Sequence, residues 1–156
     1  MKRVYLDHAA STPVCDEARE AMIPWLAAGG NPSSLHAEGR GAKDVIDQAR
    51  EIVSQKLGCL FGEVVFTSGA TEAANLAILG AALARPGGRR NRVLASAAEH
   101  PCVLQTAPVL AKLGIRLETV PVDRWARTDL NALERMMGDD VLLVAAMHAN
   151  NEIGTV

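Results

Sequence analysis

The chain has 156 residues, 49% of them hydrophobic and 22% charged, a composition that is typical of a globular domain and excludes a disordered polypeptide. Its formal net charge is −2 with acidic and basic residues interspersed, which excludes the basic surface that binds nucleic-acid phosphates. One dense basic cluster surrounds a Pro-Gly-Gly sequence and is interpreted as a solvated loop; it consists of Arg85, Arg89, Arg90 and Arg92.

The N-terminal part of the chain predicts an extended segment, a helix and a loop. Residues 4–12 are expected to be extended. Asp16 is expected to cap a helix that continues to about Ala28, with a kink at Pro24. The sequence "GGNPSS" that follows is rich in helix breakers and predicts a loop.

From residue 45 the pattern predicts alternating helices and strands. Apolar residues recur at helical spacing over residues 45–57, and Gly58 ends that helix. Four short apolar runs then predict strands: "EVVFTS", "RVLASAA", "IRLETVPV" and "VLLVAAM". Helices are expected between them over residues 70–84, 101–113 and 129–137. This alternation is typical of an α/β fold with a parallel sheet covered by helices on both faces.

Polar or small residues follow three of the predicted strands. They form the sequences "TSGAT", "AAEHP" and "HANNEIG". Because ligands of parallel α/β sheets bind at the carboxyl ends of the strands, these loops are the candidate binding site.

The sequence "FTSGATEAANLAI" leads into a predicted helix at Ala70. Amides in a first helical turn lack intrahelical partners, and the helix dipole adds partial positive charge there. Thr67, Ser68 and Thr71 add hydroxyl groups, so the turn can bind a phosphate or carboxylate. The alternative is that Ser68 or Thr71 only caps its own helix.

Two further polar positions have two interpretations each. His100 lies where the second loop enters a helix, so its imidazole could stack on a flat ring or could cap that helix. Asn150 and Asn151 follow the most apolar strand, where an amide could donate to a ring hydroxyl or could only form a turn.

The three cysteines are Cys15, Cys59 and Cys102. They form no C-x-x-C pair, so we expect reduced, partly buried thiols and no metal site. The sequence has no apolar run of the roughly 18 residues that a membrane helix needs. We therefore expect a cytoplasmic protein without a membrane partner.

Five motifs in this order resemble the start of the cysteine desulfurases, which are pyridoxal 5'-phosphate (PLP) enzymes of aminotransferase class V. They are "VYLDHAAST", "GNPSSLH", "FTSGATEAANLAI", "AAEHPCVL" and "MHANNEIGTV". The resemblance covers the whole chain. It implies the N-terminal half of an aspartate-aminotransferase-like (PLP fold type I) large domain, with residues 1–15 belonging to the small domain and active-site rim and residues 16–156 to the large PLP-binding domain.

The resemblance also implies roles for individual residues. Ala70 and Thr71 would bind the PLP phosphate, His100 would stack on the pyridine ring and act in catalysis, and Asn151 would lie near the ring 3-hydroxyl. The family removes sulfur from L-cysteine, leaves alanine, and holds the sulfur as an enzyme persulfide for iron-sulfur cluster assembly or other sulfur-transfer pathways. Expected partners are therefore L-cysteine, a sulfur-acceptor or scaffold protein, and a second subunit in a homodimer.

Three residues of the family mechanism have no counterpart in these 156 residues. They are the Schiff-base lysine, the pyridinium aspartate and the persulfide cysteine. None of the four lysines, Lys2, Lys43, Lys56 and Lys112, lies in a matching context. The chain alone is therefore expected to be inactive.

Three accounts of the chain stay open. It is a truncated desulfurase, one half of a split enzyme, or a non-catalytic remnant that serves as a binding module. Within the enzyme interpretation, other class-V enzymes that act on selenocysteine, cysteine sulfinate, serine or kynurenine are the alternative.

Overall fold

The computed structural model describes residues 4–84 and 88–156, which fall into two compact units divided between Phe66 and Thr67. Arg85 of the predicted basic loop lies outside the described residues. Within the described ranges, every helix is too short or too polar to span a lipid bilayer.

The first unit begins without a strand. Residues 4–7 belong to no regular element and residues 8–10 form a turn. Just before this turn, the hydroxyl of Tyr5 donates to the carbonyl of Asp7 at 2.8 Å. Helix α1 spans Asp16–Ala27 and continues past Pro24. The predicted capping role of Asp16 was wrong: Cys15 occupies the cap position without a side-chain bond, and Asp16 is the first helical residue, where it pairs with Arg19 at 2.9 Å.

Helix α2 spans Ala37–Leu57 and ends as its sequence predicts. The imidazole of His36 accepts a hydrogen bond from the amide of Gly39 at 3.3 Å and caps the helix. Gly58 has φ 67°, a left-handed conformation that favours glycine and stops the helix. A Cβ at Gly39 would lie 2.5 Å from the carbonyl oxygen of Ser34, so only glycine lets the preceding loop pack this closely.

The predicted strand at "EVVFTS" was wrong. Phe61–Glu63 is a 3₁₀ turn, and residues 64–67 are in no sheet although Val64 has extended φ and ψ. A strand requires a hydrogen-bonded neighbour, and none of the described residues supplies one. Instead, the guanidinium of Arg50 donates to the carbonyl of Val64 at 3.2 Å and lies 5.0 Å from the ring centre of Phe61.

The second unit contains a three-stranded parallel sheet in the order β2-β1-β3. Its strands are β1 (Arg92–Ser96), β2 (Arg116–Val120) and β3 (Val141–Ala145). Each strand lies within a run that the sequence predicted. The central strand β1 is buried from Val93 to Ser96, as expected for a strand with neighbours on both edges and helices on both faces.

Among the described residues of this unit, four helices accompany the sheet: α3 (Ala70–Leu83), α4 (Pro101–Leu104), α5 (Ala107–Lys112) and α6 (Leu130–Met136). The single helix predicted over residues 101–113 was wrong, because the structure divides it at Gln105 and Thr106. Pro108 has no amide hydrogen to continue the helical ladder, and the hydroxyl of Thr106 donates back to the carbonyl of Val103 at 2.7 Å.

The sheet has an apolar core on each face, which confirms the predicted layered architecture. One cluster joins β1 to α3, α4 and α5; it contains Ile78, Ala82, Val93, Ala95, Val103, Leu110 and Ile115. The other joins β1 to α6; it contains Leu94, Val120, Ala132 and Val141. Alternate residues of β1 point to opposite faces, so this strand contributes to both cores.

Arg92 is not part of a solvated loop, which corrects the interpretation of the basic cluster. It begins β1, and its side chain is only 15% exposed. The guanidinium pairs with Glu118 of β2 at 2.9 Å and with Asp140, which precedes β3, at 3.0 Å. Arg92 therefore links the start of β1 to the middle of β2 and to the residue that precedes β3.

Candidate cofactor site

The N-terminus of α3 presents hydrogen-bond donors that the described residues leave without acceptors. Gly69 occupies the cap position, and it has no side chain that could accept a hydrogen bond from the first amides of the helix. Within residues 4–84 and 88–156, neither the amides of Ala70 and Thr71 nor the Thr71 hydroxyl has a hydrogen-bond acceptor. All three residues are exposed, and a Cβ built on Gly69 would meet nothing within 4 Å. The turn can therefore accept an anionic group.

Neither Ser68 nor Thr71 caps α3, so the structure does not support the capping alternative. Ser68 donates instead, through its amide at 2.7 Å and its hydroxyl at 2.6 Å, to the carboxylate of Glu72. These hydrogen bonds from Ser68 lower the pKa of Glu72 below its ordinary value. Glu72 thus stays ionised and fixes the conformation of the loop before the helix.

His100 caps α4, as one of the two sequence interpretations predicted. Its Nδ1 accepts a hydrogen bond from the amide of Cys102 at 3.1 Å. Because Nδ1 is the acceptor, the neutral ring carries its proton on Nε2. The ring is exposed, so capping leaves Nε2 and the ring face accessible, and stacking stays a prediction.

Asn151 and Asn150 have different surroundings in the loop after β3. The amide of Asn151 donates to the carboxylate of Glu152 at 3.0 Å. The side-chain oxygen of Asn150 accepts from the amides of Glu152 and Ile153, and its nitrogen lies 3.5 Å from the carbonyl of Ala98 in the loop after β1. Asn150, rather than Asn151, therefore joins the two loops.

The structure brings only some of the predicted site residues into contacting elements. Helix α3, which begins with Ala70 and Thr71, packs on α4, which His100 caps. The side-chain amide of Asn75 in α3 bridges the two helices, because it donates to the carbonyls of Thr71 and Cys102. No described contact joins Asn151 to Thr71 or His100. Asn75 was missed from the sequence, and so was the contact of Asn150 with Ala98. A helical asparagine and a turn asparagine carry no local signal of a distant carbonyl partner.

A cavity of about 310 Å³ opens at the carboxyl ends of β1 and β3. Ser96, Ala98, Thr128, His148 and Asn150 contribute to its lining. The hydroxyl of Thr128 donates to that of Ser96 at 3.1 Å. The size of the cavity suits a small ligand. Its position at the carboxyl ends of the strands agrees with the binding site that the sequence predicts there.

The described residues hold no cluster of histidine, cysteine or acidic side chains suited to a metal ion. The three cysteines are free thiols, of which Cys15 is exposed and Cys59 and Cys102 are half-buried. The expectation of partly buried thiols was therefore wrong for Cys15.

Comparison with known proteins identifies one family along the chain. Residues 4–156 match the family description "Aminotransferase class-V". The chain is similar to cysteine desulfurase IscS 1 of Archaeoglobus fulgidus, with 42% identity over 97% of this chain and 40% of that protein. It is similar to cysteine desulfurase IscS of Dictyoglomus turgidum, with 44% identity over 100% of this chain and 40% of that protein.

Solved structures give the same result. "SspA in complex with cysteine" superimposes with a TM-score of 0.89 at 38% identity, over 97% of this chain and 44% of that one. A "NIFS-LIKE PROTEIN" superimposes with a TM-score of 0.91 at 38% identity, over 99% of this chain and 43% of that one. The chain thus spans about two fifths of the length of the proteins that it matches.

Proposed function

The chain belongs to the class-V aminotransferase family, and we propose that it forms part of a PLP-dependent cysteine desulfurase. The overall reaction converts L-cysteine to L-alanine, and its sulfur atom passes to an enzyme thiol, which becomes a persulfide. The similarity to cysteine desulfurases along the whole chain supports this function. The solved neighbour in complex with cysteine supports the choice of substrate.

The observation that carries the cofactor proposal is the set of donors at the start of α3. Ala70 and Thr71 offer two amides and one hydroxyl without acceptors among the described residues. The phosphate of PLP is an anion that such donors and the helix dipole stabilise. These residues therefore fit the phosphate group, and we assign its binding to them.

His100 and Asn151 are assigned to the cofactor ring. The His100 imidazole is fixed by its bond to Cys102, so an exposed ring face is already oriented for stacking, and Nε2 can exchange a proton with the substrate. The Asn151 amide would donate to the ring hydroxyl. Bound PLP would supply an electron sink, whereas these residues bind the cofactor and orient it.

We further propose how the 156 residues contribute to the whole enzyme. Residues 1–15 belong to the active-site rim and small domain, and residues 16–156 to the large PLP-binding domain. The Schiff-base lysine, the pyridinium aspartate and the persulfide cysteine come from outside this sequence, so the chain alone is inactive. The enzyme acts as a cytoplasmic homodimer and passes sulfur to an acceptor protein for iron-sulfur cluster assembly or related pathways.

The test uses the full-length protein that carries this sequence, with PLP and L-cysteine. In a single turnover, we expect alanine and protein-bound sulfur in equal amounts, measured by amino-acid analysis and by cyanolysis of the persulfide. L-Serine and L-kynurenine serve as competing substrates for other class-V activities. Turnover of either one in preference to L-cysteine would overturn the desulfurase proposal but keep the family assignment.

A further inference from the structure

Asn75 connects the two helices that carry the proposed phosphate and ring contacts. Its Nδ2 donates to the carbonyl of Thr71 at 2.9 Å within α3, and to the carbonyl of Cys102 at 3.3 Å in α4. The two partners are both carbonyl oxygens, so the side-chain nitrogen must face them. The amide thus spans the start of α3 and the start of α4.

The bond to Cys102 satisfies a carbonyl that has no other donor among the described residues. Helix α4 has only four residues, so its own backbone bonds contribute little to holding it in place. His100 caps this helix through the amide of Cys102. The position of the imidazole therefore depends on the same residue whose carbonyl Asn75 holds.

Apolar packing alone does not fix this arrangement. Ile78 of α3 and Val103 of α4 are buried in the same core cluster, but hydrophobic contact is non-directional. The Asn75 hydrogen bonds are directional. They set which turn of α3 lies beside the His100 cap, and hence the spacing between the Thr71 donors and the imidazole.

We propose that Asn75 is a positioning residue of the cofactor site: it sets the distance between the phosphate donors of α3 and the imidazole of His100. This inference rests on the proposed function. A ligand that spans both points gains affinity only when their spacing matches its own. PLP has a phosphate and a ring and so spans both points, whereas inorganic phosphate engages the α3 donors alone.

The test compares binding of PLP and of inorganic phosphate in the full-length protein. The variant is Asn75→Ala, which removes the donors without adding charge and suits a helix. Asn75→Leu keeps the branched side-chain shape without the donors, and it is the variant to use if Asn75→Ala does not fold. Asn131→Ala, at an exposed position of α6, is the matched control. PLP affinity is measured by fluorescence titration, and phosphate affinity by competition.

We expect Asn75→Ala to bind PLP about fivefold more weakly, the usual effect of losing one hydrogen bond, because of its two bonds only the one to Cys102 joins α3 to α4. Phosphate affinity should change less than about twofold, and the control should match the wild type in both. Equal PLP affinity in wild type and variant overturns the positioning role. An equal loss of affinity for PLP and for inorganic phosphate also overturns it, because that result would indicate damage to the phosphate-binding turn itself. Absence of PLP binding by the wild type would instead overturn the proposed function.

Discussion

Arg92 donates two hydrogen bonds to the carboxylate of Glu118, from Nε at 3.1 Å and from Nη2 at 2.9 Å. This bidentate pair crosses from the central strand β1 to its neighbour β2. The Arg92 side chain is largely buried and Glu118 is 35% exposed. Such paired, partly buried charges interact more strongly than surface pairs, which contribute little.

The pair makes stability depend on pH in a defined direction. The hydrogen bonds from Arg92 lower the pKa of Glu118 below its ordinary value of 4.5. The resulting stability is therefore fully present above pH 4.5 and is lost as pH falls through the lower, folded-state pKa. We expect Arg92→Met to lower the midpoint of thermal unfolding by a few degrees at pH 7, and the difference from wild type to shrink in acid. The control is Arg116→Met, which removes an exposed Arg116–Glu118 pair whose charged atoms lie 3.7 Å apart. An equal drop in the unfolding midpoint of this control would contradict the assignment of the stability to the Arg92–Glu118 pair.

Thr71→Ala removes one proposed donor to the PLP phosphate. A hydrogen bond to a charged group contributes about 1.5–3 kcal/mol, so we expect PLP affinity to fall by about one to two orders of magnitude. Equilibrium dialysis of the full-length protein measures this affinity. Thr119→Ala, at an exposed position of β2, should bind PLP as the wild type does. Equal cofactor retention by Thr71→Ala and wild type would remove the phosphate assignment.

His100 has two separable roles, and two substitutions distinguish them. Asparagine is a good helix cap, whereas alanine is a poor one. His100→Asn should therefore keep wild-type stability but lose most turnover, and His100→Ala should also lose about 1 kcal/mol of stability. Cofactor binding should fall less than turnover in both. Full activity of His100→Asn would mean that the imidazole serves only as a cap.

The capping effect needs a control at another helix. Asp129 caps α6 by accepting from the amide of Ala132 at 3.0 Å. Asp129→Ala should lower stability by a similar amount and leave turnover unchanged. Thermal denaturation and steady-state kinetics on the same samples separate the two effects.

Ala126 has φ 58°, a left-handed conformation that is strained for a residue with a Cβ. Glycine removes this strain but adds flexibility to the unfolded chain, so Ala126→Gly should raise stability by up to about 1 kcal/mol. Ala77→Gly, within α3, should lower it by about the same amount. Denaturant titration measures both, and a destabilised Ala126→Gly would contradict the strain assignment.

Local sequence patterns predicted most elements of the second unit, because its helices and strands follow their own apolar periodicity. The predictions were wrong where tertiary contacts, rather than local sequence, determine the secondary structure. The segment after Glu63 has strand-forming residues but no pairing partner among the described residues, and the break near Pro108 depends on the Thr106 hydroxyl. At the site, the α3 turn was predictable from its residues. The bridging amides of Asn75 and Asn150 were not, because their partners lie 27 and 52 residues away.

The central place of β1 has a kinetic consequence. Its four consecutive residues Val93–Ser96 are buried, and the strand is hydrogen-bonded to β2 on one edge and to β3 on the other. Its amides can meet solvent deuterium only when the whole sheet opens, so their exchange reports the rate and free energy of global unfolding. Helix α1 has no buried residue and can exchange by local fraying. One deuterium-uptake experiment would therefore record two separate timescales along this chain.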